Sequence, residues 1–412
     1  MRARPRSWLV AAAAVVVVAA GGIALDRQQQ DSGPSGAGEV RTSSPVTAFA
    51  PLVTLHPRER WRPLGARAFV SSSVLMWAKD DFCAHEPIAA GAGHPRARRG
   101  RLPALTAERL GGVARPYRNV PARIDCRDES RVPPVPSTAH TRPWDEDRFA
   151  ELPLKEGFYL KLASRAYGGG GLLSRGGRPT LRHVPAYWER DRERVAGAPG
   201  LRLTYWFLFG RTEPAVSERM VRAFAHEGGW QRVSVLVRRG RGVDRYVPVS
   251  VRYHYYDRHR DVRWEDADRV RGPGASGSAA THPVVYSARG SHAGYWRPGR
   301  YPLVLEHSEW DGDEDHPTVI EQAPSSCPSC PRWPTWRLLE PARTQPWYRY
   351  GGAWGETMPG GSSPNTGPLG PSPFMRRGEG TVMARSVGAD PPRRLPAAES
   401  TSAALRDAVP AH

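Results

Sequence analysis

Two short sequences hold the side chains best suited to chemistry in this chain. One is His226-Glu-Gly-Gly-Trp-Gln231 and the other is Gly290-Ser-His-Ala-Gly-Tyr295. Each places a histidine beside glycine, where the backbone can bend and leave an imidazole exposed for ligand binding, proton transfer or metal coordination. The residues predicted to bind a ligand are His226, Glu227, Gln231, Ser291, His292 and Tyr295.

Two interpretations stay open if folding brings the two sequences together at one rim. In the first, both histidines hydrogen-bond across strand ends and keep a ligand-binding rim rigid. In the second, His226, Glu227 and His292 bind a divalent cation, and this set suits zinc or another transition metal better than calcium. The second arrangement would support metal-assisted hydrolysis, with Glu227 as the catalytic base and the histidines as ligands or electrostatic stabilisers.

Serine catalysis is disfavoured by the order of residues in the second sequence. Gly290-Ser-His-Ala-Gly294 has the length of a nucleophile elbow, but its central residue is His292, where that elbow has serine. Neighbouring side chains on a strand also point to opposite faces, so Ser291 and His292 would not pair well.

An acidic segment is a second candidate metal site. Asp311, Asp313 and Asp315 alternate along the chain, as carboxylates do at the start of a calcium loop. His316 occupies the sixth position, where such a loop has glycine, and the twelfth position lacks glutamate. An exposed acidic turn is therefore preferred to a calcium site.

Strands are the elements expected to position both histidine sequences. Apolar runs over residues 203–209 and 283–286 lead towards them, and alternating apolar side chains elsewhere have the period of half-buried strands. These alternating stretches are residues 158–163, 233–237 and 249–255. Only residues 213–225 and 107–110 are predicted to be helical. The sequence predicts a mainly β fold: an antiparallel β-sandwich with long loop insertions and a few short helices, preceded by one N-terminal hydrophobic helix.

Aromatic side chains near the two sequences are divided between core and surface. Trp230 begins a strand with alternating valines and is predicted to be buried, as is the apolar run over residues 205–207. Tyr295 and Trp296 precede Arg-Pro-Gly and are predicted to be exposed, where they would stack on sugars or lie at a lipid interface.

The N-terminal sequence indicates export. Arg2, Arg4 and Arg6 precede an uncharged run over residues 8–25, which is longer than a usual signal-peptide core and just long enough to cross a bilayer. The arginines keep the N-terminus inside, so the body is extracytoplasmic, either secreted or held at the cell membrane by a single span. The predicted organisation is residues 1–25 as signal peptide or membrane anchor, 26–46 as disordered tether, 47–375 as β-rich domain and 376–412 as disordered tail.

The four cysteines are expected to form two disulfides, because an even number in an oxidising compartment favours pairing. Cys327 with Cys330 would clamp a local loop, and Cys83 with Cys126 would close a long one. Redox catalysis and a zinc site are the alternatives for the Cys-x-x-Cys pair. Pro331 follows that pair, and no second pair has metal-ligand spacing.

The net charge of +18 over 412 residues raises nucleic acid and anionic membranes as partners. The arginines are scattered, and their clusters at residues 96–99 and 238–241 lack the interleaved aromatics of a stacking platform. No nucleic acid is therefore expected. The expected partner is an extracytoplasmic ligand, either a carbohydrate or an anionic lipid. A membrane-active, toxin-like protein is a further alternative.

The order of several short sequences resembles the vacuolar protein sorting-associated protein 62 family. Phe49-Ala-Pro-Leu-Val-Thr-Leu-His-Pro57 is similar to that family's opening strand. Gly352-Ala-Trp-Gly355 and Gly367-Pro-Leu-Gly-Pro371 are similar to its closing signature. With the two histidine sequences between them, the resemblance spans residues 47–375. It implies an exported β-domain here, and the trafficking role in the family name is not carried over.

The first histidine sequence departs from that family's pattern. The family usually has His-Glu-Gly-Asp-Trp-Glu, whereas this chain has Gly229 and Gln231 in place of the two later acidic residues. A similar acidic heptapeptide in the necrosis-inducing toxin-like proteins helps to bind a divalent cation, and hard cations prefer carboxylate oxygens. Gln231 keeps a neutral oxygen and Glu227 remains, but the departure puts a family-type metal centre in doubt.

Overall fold

The computed structural model describes most of the region that carries the two histidine sequences. The described residues are 39–78, 86–100, 102–111, 157–163, 181–213, 225–242, 244–255, 258–275, 279–306, 318–324, 328–355, 370–371 and 385–386. Several predicted features lie outside them. These are the N-terminal hydrophobic helix, most of the helix over residues 213–225, the carboxylates Asp311, Asp313 and Asp315, and the cysteines Cys83, Cys126 and Cys327. Cys330 is described and buried, and the two disulfide pairings stay predictions.

Strands dominate the described residues. The strands are β1 (Val40–Arg41), β2 (Leu52–Leu55), β3 (Ser73–Ala78), β4 (Glu86–Gly91), β5 (Ala104–Leu105), β6 (Gly157–Leu162), β7 (Ala186–Val195), β8 (Ala198–Thr212), β9 (His226–Arg239), β10 (Arg245–Tyr255), β11 (Arg258–Arg263), β12 (Arg269–Val270), β13 (His282–Ser287), β14 (Gly294–Tyr295), β15 (Gly299–Glu306), β16 (Thr318–Ala323), β17 (Arg332–Pro334), β18 (Leu339–Pro341) and β19 (Arg385–Ser386). The α-helices are α1 (Pro45–Ala48), α2 (Ala66–Ser71), α3 (Pro95–Arg98) and α4 (Ala107–Gly111). Within the described part of the chain, no helix is both long and apolar enough to cross a membrane.

The largest sheet has the order β1-β10-β9-β8-β7-β18, and β11 also pairs with β10. Its centre is the antiparallel pair of β8 and β9, which runs from Gly200 opposite Arg238 to Thr212 opposite His226. Because the two strands pair along almost their whole length, the register holds His226 beside Thr212 at the end of β8.

Side chains of β8 alternate between two hydrophobic cores. Leu203, Tyr205 and Phe207 belong to the first core, together with residues of β2, β10 and β13. Trp206 and Leu208 belong to the second core, together with residues of β3, β6 and α2. Both faces of the central sheet are therefore buried, which removes large aromatic surfaces from water. The prediction that residues 205–207 are interior is confirmed.

The second sheet presents the second histidine sequence. Its order is β12-β13-β2-β17, and β14 pairs with β13. β13 runs parallel to β2, with Ser287 opposite Leu55, so both strands end at the same edge of the sheet. Residues 288–293 turn from β13 into β14 at that edge. The residues that follow β2 along the chain therefore lie beside this turn.

Two smaller sheets support the larger ones. One has the order β5-β4-β3-β6 and the other has the order β16-β15-β19. In the first, the backbone N–H of Leu162 in β6 donates a hydrogen bond to Glu227. In the second, Glu321 on β16 accepts a hydrogen bond from Ser291 of the second histidine sequence.

The mainly β prediction is confirmed, and the alternating stretches fall in β6, β9 and β10 and the predicted helix over residues 107–110 in α4. The sheets are mixed, however, and not purely antiparallel. Among the described strands, three pairs are parallel: β2 with β13, β4 with β5, and β7 with β18. Alternating side chains cannot distinguish parallel from antiparallel pairing, because the side-chain period is the same in both. Parallel partners are also joined by long crossovers, so they are far apart in the sequence. Order also begins before residue 47, since β1 pairs with β10.

Candidate functional site

The two histidine sequences are neighbours in the structure. Gln231 Nε2 donates a hydrogen bond to the carbonyl oxygen of Ser291 at 3.2 Å. Glu213, directly after β8, donates its backbone N–H to the carbonyl oxygen of Gly290 at 2.9 Å. The end of the β8–β9 pair is thus joined to the turn between β13 and β14.

His292 lies at the centre of this junction. Its φ of +63° is in the left-handed region, which a non-glycine residue adopts only where the surroundings impose it. The imidazole is buried and stacks on Phe209, with 3.9 Å between ring centroids and 8° between ring planes. Its Nε2 lies 3.2 Å from the carbonyl oxygen of Trp61 and 3.4 Å from Glu59 Oε1. Its Nδ1 has no hydrogen-bond partner in the described part of the chain.

Glu59 is a buried carboxylate that the sequence patterns did not indicate. It accepts hydrogen bonds from Gly290 N at 2.7 Å and from Trp61 N at 2.8 Å. Burial alone would raise the pKa of Glu59, but the charge of His292 and the hydrogen bonds from His292, Gly290 and Trp61 outweigh it and lower that pKa. Glu59 is therefore an anion that fixes both the turn and the imidazole. Only a basic run, Arg58-Glu-Arg-Trp-Arg62, marks the segment in the sequence.

His226 is the partly exposed histidine of the pair. Its Nδ1 lies 2.9 Å from the carbonyl oxygen of Glu227, so this nitrogen carries the proton and donates it. Burial lowers the pKa of His226 to about 4, and the charges of His292 and Arg211 act in the same direction. His226 is therefore neutral near pH 7, with the lone pair on Nε2.

This lowered pKa predicts a loss of stability in acid. The unfolded chain binds a proton near the ordinary pKa of 6.5, whereas folded His226 does so only near 4, so the free energy of unfolding falls as pH falls between these values. From this residue we expect a loss of about 2 kcal/mol between pH 7 and pH 5. Urea unfolding at both pH values measures it. His226→Gln should show the smaller loss, and an equal loss in both proteins would contradict the assignment.

Glu227 does not join the histidines. Its Oε2 accepts a hydrogen bond from Leu162 N of β6 at 2.9 Å, and its Cβ packs against Gly355. Among the residues that the structure describes, no group of three or more His, Cys, Asp or Glu could hold a metal ion. The structure therefore does not bring His226, Glu227 and His292 together as the metal set that the sequence predicted, with Glu227 as base. Adjacent strand residues point to opposite faces, so Glu227 turns towards β6.

Ser291 and Tyr295 are both buried, so they do not form an open rim. Ser291 Oγ donates a hydrogen bond to Glu321 Oε2. The ring of Tyr295 stacks on Tyr301 at 3.9 Å between centroids. Tyr295 and Trp296 were predicted to be exposed, and that prediction is wrong because both pack in the first core. These rings therefore do not support contact with sugars or lipid. The prediction that Trp230 is buried is confirmed.

The solvent-facing edge of the junction carries charged residues. Trp61 Nε1 donates to Glu213 Oε2 at 2.7 Å, and Arg211 Nη2 lies 3.6 Å from Glu213 Oε1. The guanidinium of exposed Arg60 lies over the Trp61 ring at 4.5 Å, and that of Arg211 does so at 5.2 Å. Together with His226, these side chains form what we call the basic edge: Arg60, Trp61, Arg211, Glu213 and His226.

The position of Thr212 bears on why residue 229 is glycine, where the pattern of the resembled family has aspartate. A Cβ at position 229 would lie 2.2 Å from Thr212 Oγ1, so the aspartate of the family pattern would not fit unless Thr212 moved. Thr212 is buried, and its hydroxyl has no hydrogen-bond partner among the described residues. Because Gly229 has no side chain, the Thr212 hydroxyl beside His226 has no hydrogen-bond partner among the described residues.

The chain matches no known family model, no curated protein and no solved structure. The resemblance to the vacuolar protein sorting-associated protein 62 family therefore stays a prediction.

Proposed function

We propose that this chain is an extracytoplasmic ligand-binding β-domain, whose site lies where the β8–β9 pair meets the turn after β13. The geometry supports a preformed site: the Glu59–His292 pair and the bond from Gln231 to Ser291 fix the junction. We also propose that the largest and second sheets, which share the first core, pack as a sandwich, and that the family resemblance and the exported location hold. Metal-assisted hydrolysis through Glu227 is not proposed.

One observation carries the proposal. Two buried polar atoms of the junction, His292 Nδ1 and Thr212 Oγ1, have no hydrogen-bond partner within the described residues. Buried polar groups are almost always hydrogen-bonded, and each exception requires an explanation. A bound ligand that reaches past half-buried His226 would supply these missing partners.

Histidine side-chain NMR of the full chain tests this proposal. We expect at least one of three ligand classes, neutral sugars, dicarboxylates or phosphate monoesters, to shift the His226 and His292 resonances saturably. Thr212→Val removes the hydroxyl with little change in shape and should weaken that binding about three- to tenfold. If no class gives a saturable shift in the folded wild-type protein, the proposed function is wrong.

A further inference from the structure

Two histidines lie directly opposite each other where β10 pairs with β11. The register pairs His254 with His259, and facing residues of antiparallel strands have Cβ atoms about 4.5–5.5 Å apart. The imidazole rings are 5.8 Å apart between centroids, with 47° between their planes. His259 is exposed and His254 is half-buried. The two rings therefore converge at one place that solvent reaches.

The histidine pair is separate from the junction of the two histidine sequences. Tyr253, which precedes His254 along β10, belongs to the first core, so His254 points to the opposite face of the largest sheet. Tyr253 pairs with Val233, which makes Arg232 the neighbour of His254 on β9. Arg232 is six residues from His226, or roughly 20 Å along the strand. An inference about this pair therefore does not depend on the proposed function.

Both imidazoles are available as ligands. Neither His254 nor His259 forms a hydrogen bond with any residue that the structure describes, so each ring can turn a nitrogen towards a shared ion. Burial lowers the pKa of both histidines, and the charges of Arg232 and Arg252 lower each pKa further. Both rings are therefore neutral near pH 7. A neutral imidazole carries a lone pair on one nitrogen, and this is the form that binds a metal ion.

The charges of three arginines act on the histidine pair, and two of these arginines are paired with carboxylates. Arg252 donates two hydrogen bonds to Asp261, each at 2.7 Å, and Arg202 donates one to Glu193 at 2.7 Å. The third, Arg232, lies over an indole ring at 5.1 Å from its centroid. The two carboxylates offset much of the repulsion that a bound cation would meet. The repulsion that remains favours the cations with the strongest bonds to imidazole.

We propose that His254 and His259 together bind one divalent transition-metal ion, best matched by Cu²⁺. Bonds of about 2.0–2.1 Å from imidazole nitrogen to metal put the centroids of two rings on one ion about 4.5–6.4 Å apart, for angles at the metal of about 90–180°. The 5.8 Å between these two centroids lies within that range. Cu²⁺ binds nitrogen ligands most strongly among the divalent first-row ions. Asp261 is held by Arg252, so water completes the coordination.

Calorimetric titration of the full chain with copper(II) chloride at pH 7 tests this inference, and electron paramagnetic resonance identifies the ligands. We expect one bound ion whose spectrum shows coupling to two imidazole nitrogens. Mg²⁺ should not bind there, because it prefers oxygen ligands. His254→Asn and His259→Asn should each weaken Cu²⁺ binding at least about tenfold, since even changes outside the ligand shell cost that much at metal sites. The double variant should lose little more than either single variant, because one ion uses both rings.

His183→Asn is the matched control. It removes an exposed imidazole from another element, the single 3₁₀ turn at residues 181–183, and should leave the affinity for Cu²⁺ unchanged. Unchanged near-UV circular dichroism shows that each variant folds as the wild type does. Equal affinity in His254→Asn and the wild type, or equal losses in His254→Asn and His183→Asn, would overturn the inference.

Histidine side-chain NMR of the wild-type chain gives a test that needs no variant. A small amount of Cu²⁺, well below one ion per chain, should broaden the resonances of His254 and His259 first. Broadening of the His226 and His292 resonances first would place the ion at the junction and overturn the inference. Because the two places are separate, the proposed ligand-binding function can fail while Cu²⁺ binds here, and the reverse outcome is equally distinguishable.

Discussion

Glu59→Ala is expected to lower the free energy of unfolding by about 3 kcal/mol or more, because each buried donor that loses its acceptor costs about 1–3 kcal/mol. The substitution deprives Gly290 N and Trp61 N of their acceptor and leaves the His292 imidazole without its carboxylate. It also frees the left-handed turn at His292. Urea unfolding followed by tryptophan fluorescence measures the loss.

Two further variants make the expectation specific to the buried pair. Glu59→Gln keeps an acceptor oxygen but removes the charge, so its loss should be intermediate. Glu193→Ala breaks the more exposed pair with Arg202, whose side chains are 29% and 35% accessible, and should cost far less, since such pairs contribute little. If Glu59→Ala and Glu193→Ala cost the same, Glu59 does not hold the junction together.

The central strands could be predicted because their evidence is local. In β9 the buried valines at residues 233, 235 and 237 recur every second residue, and that period is visible in the sequence. β8 instead carries a continuous apolar run, because both of its faces are buried. These two patterns correctly placed Trp230 and residues 205–207 in the interior. What alternation cannot give is the partner of each strand, and so it missed the parallel pairing of β2 with β13.

The site itself could be predicted only in outline. We expected the two histidine sequences to be neighbours. The role of Glu59 was not expected, because Glu59 and Gly290, which are hydrogen-bonded, are 231 residues apart in the sequence. No local pattern distinguishes it from the surface charges beside it in the run Arg58-Glu-Arg. Tyr295 was misplaced for a related reason. It precedes a turn-like Arg-Pro-Gly, yet stacking on Tyr301 buries it, and that contact depends on how two strands cross.

Gly228 is where the first histidine sequence contacts residues 352–355, and its replacement should be highly disruptive. Gly228 has a φ of +68°, and a Cβ there would lie 1.5 Å from the carbonyl oxygen of Trp354. Backbone atoms cannot rotate away as a side chain can, so Gly228→Ala must separate β9 from residues 352–355. We expect a loss of at least about 4 kcal/mol, within the range reserved for severe core disruption, or failure to fold.

Gly197→Ala separates this clash from backbone strain alone. Gly197, in the turn between β7 and β8, has a comparable φ of +79°, but a Cβ there would meet nothing within 4 Å. Its substitution should therefore show only the conformational cost of a left-handed residue, about 1–2 kcal/mol. Near-UV circular dichroism adds a local readout, because Trp230 and Trp354 pack edge to face at 5.1 Å. Equal losses of stability and unchanged spectra in both alanine variants would show that β9 does not contact residues 352–355. Glu227 would then lack the packing against Gly355 that turns it away from the histidines.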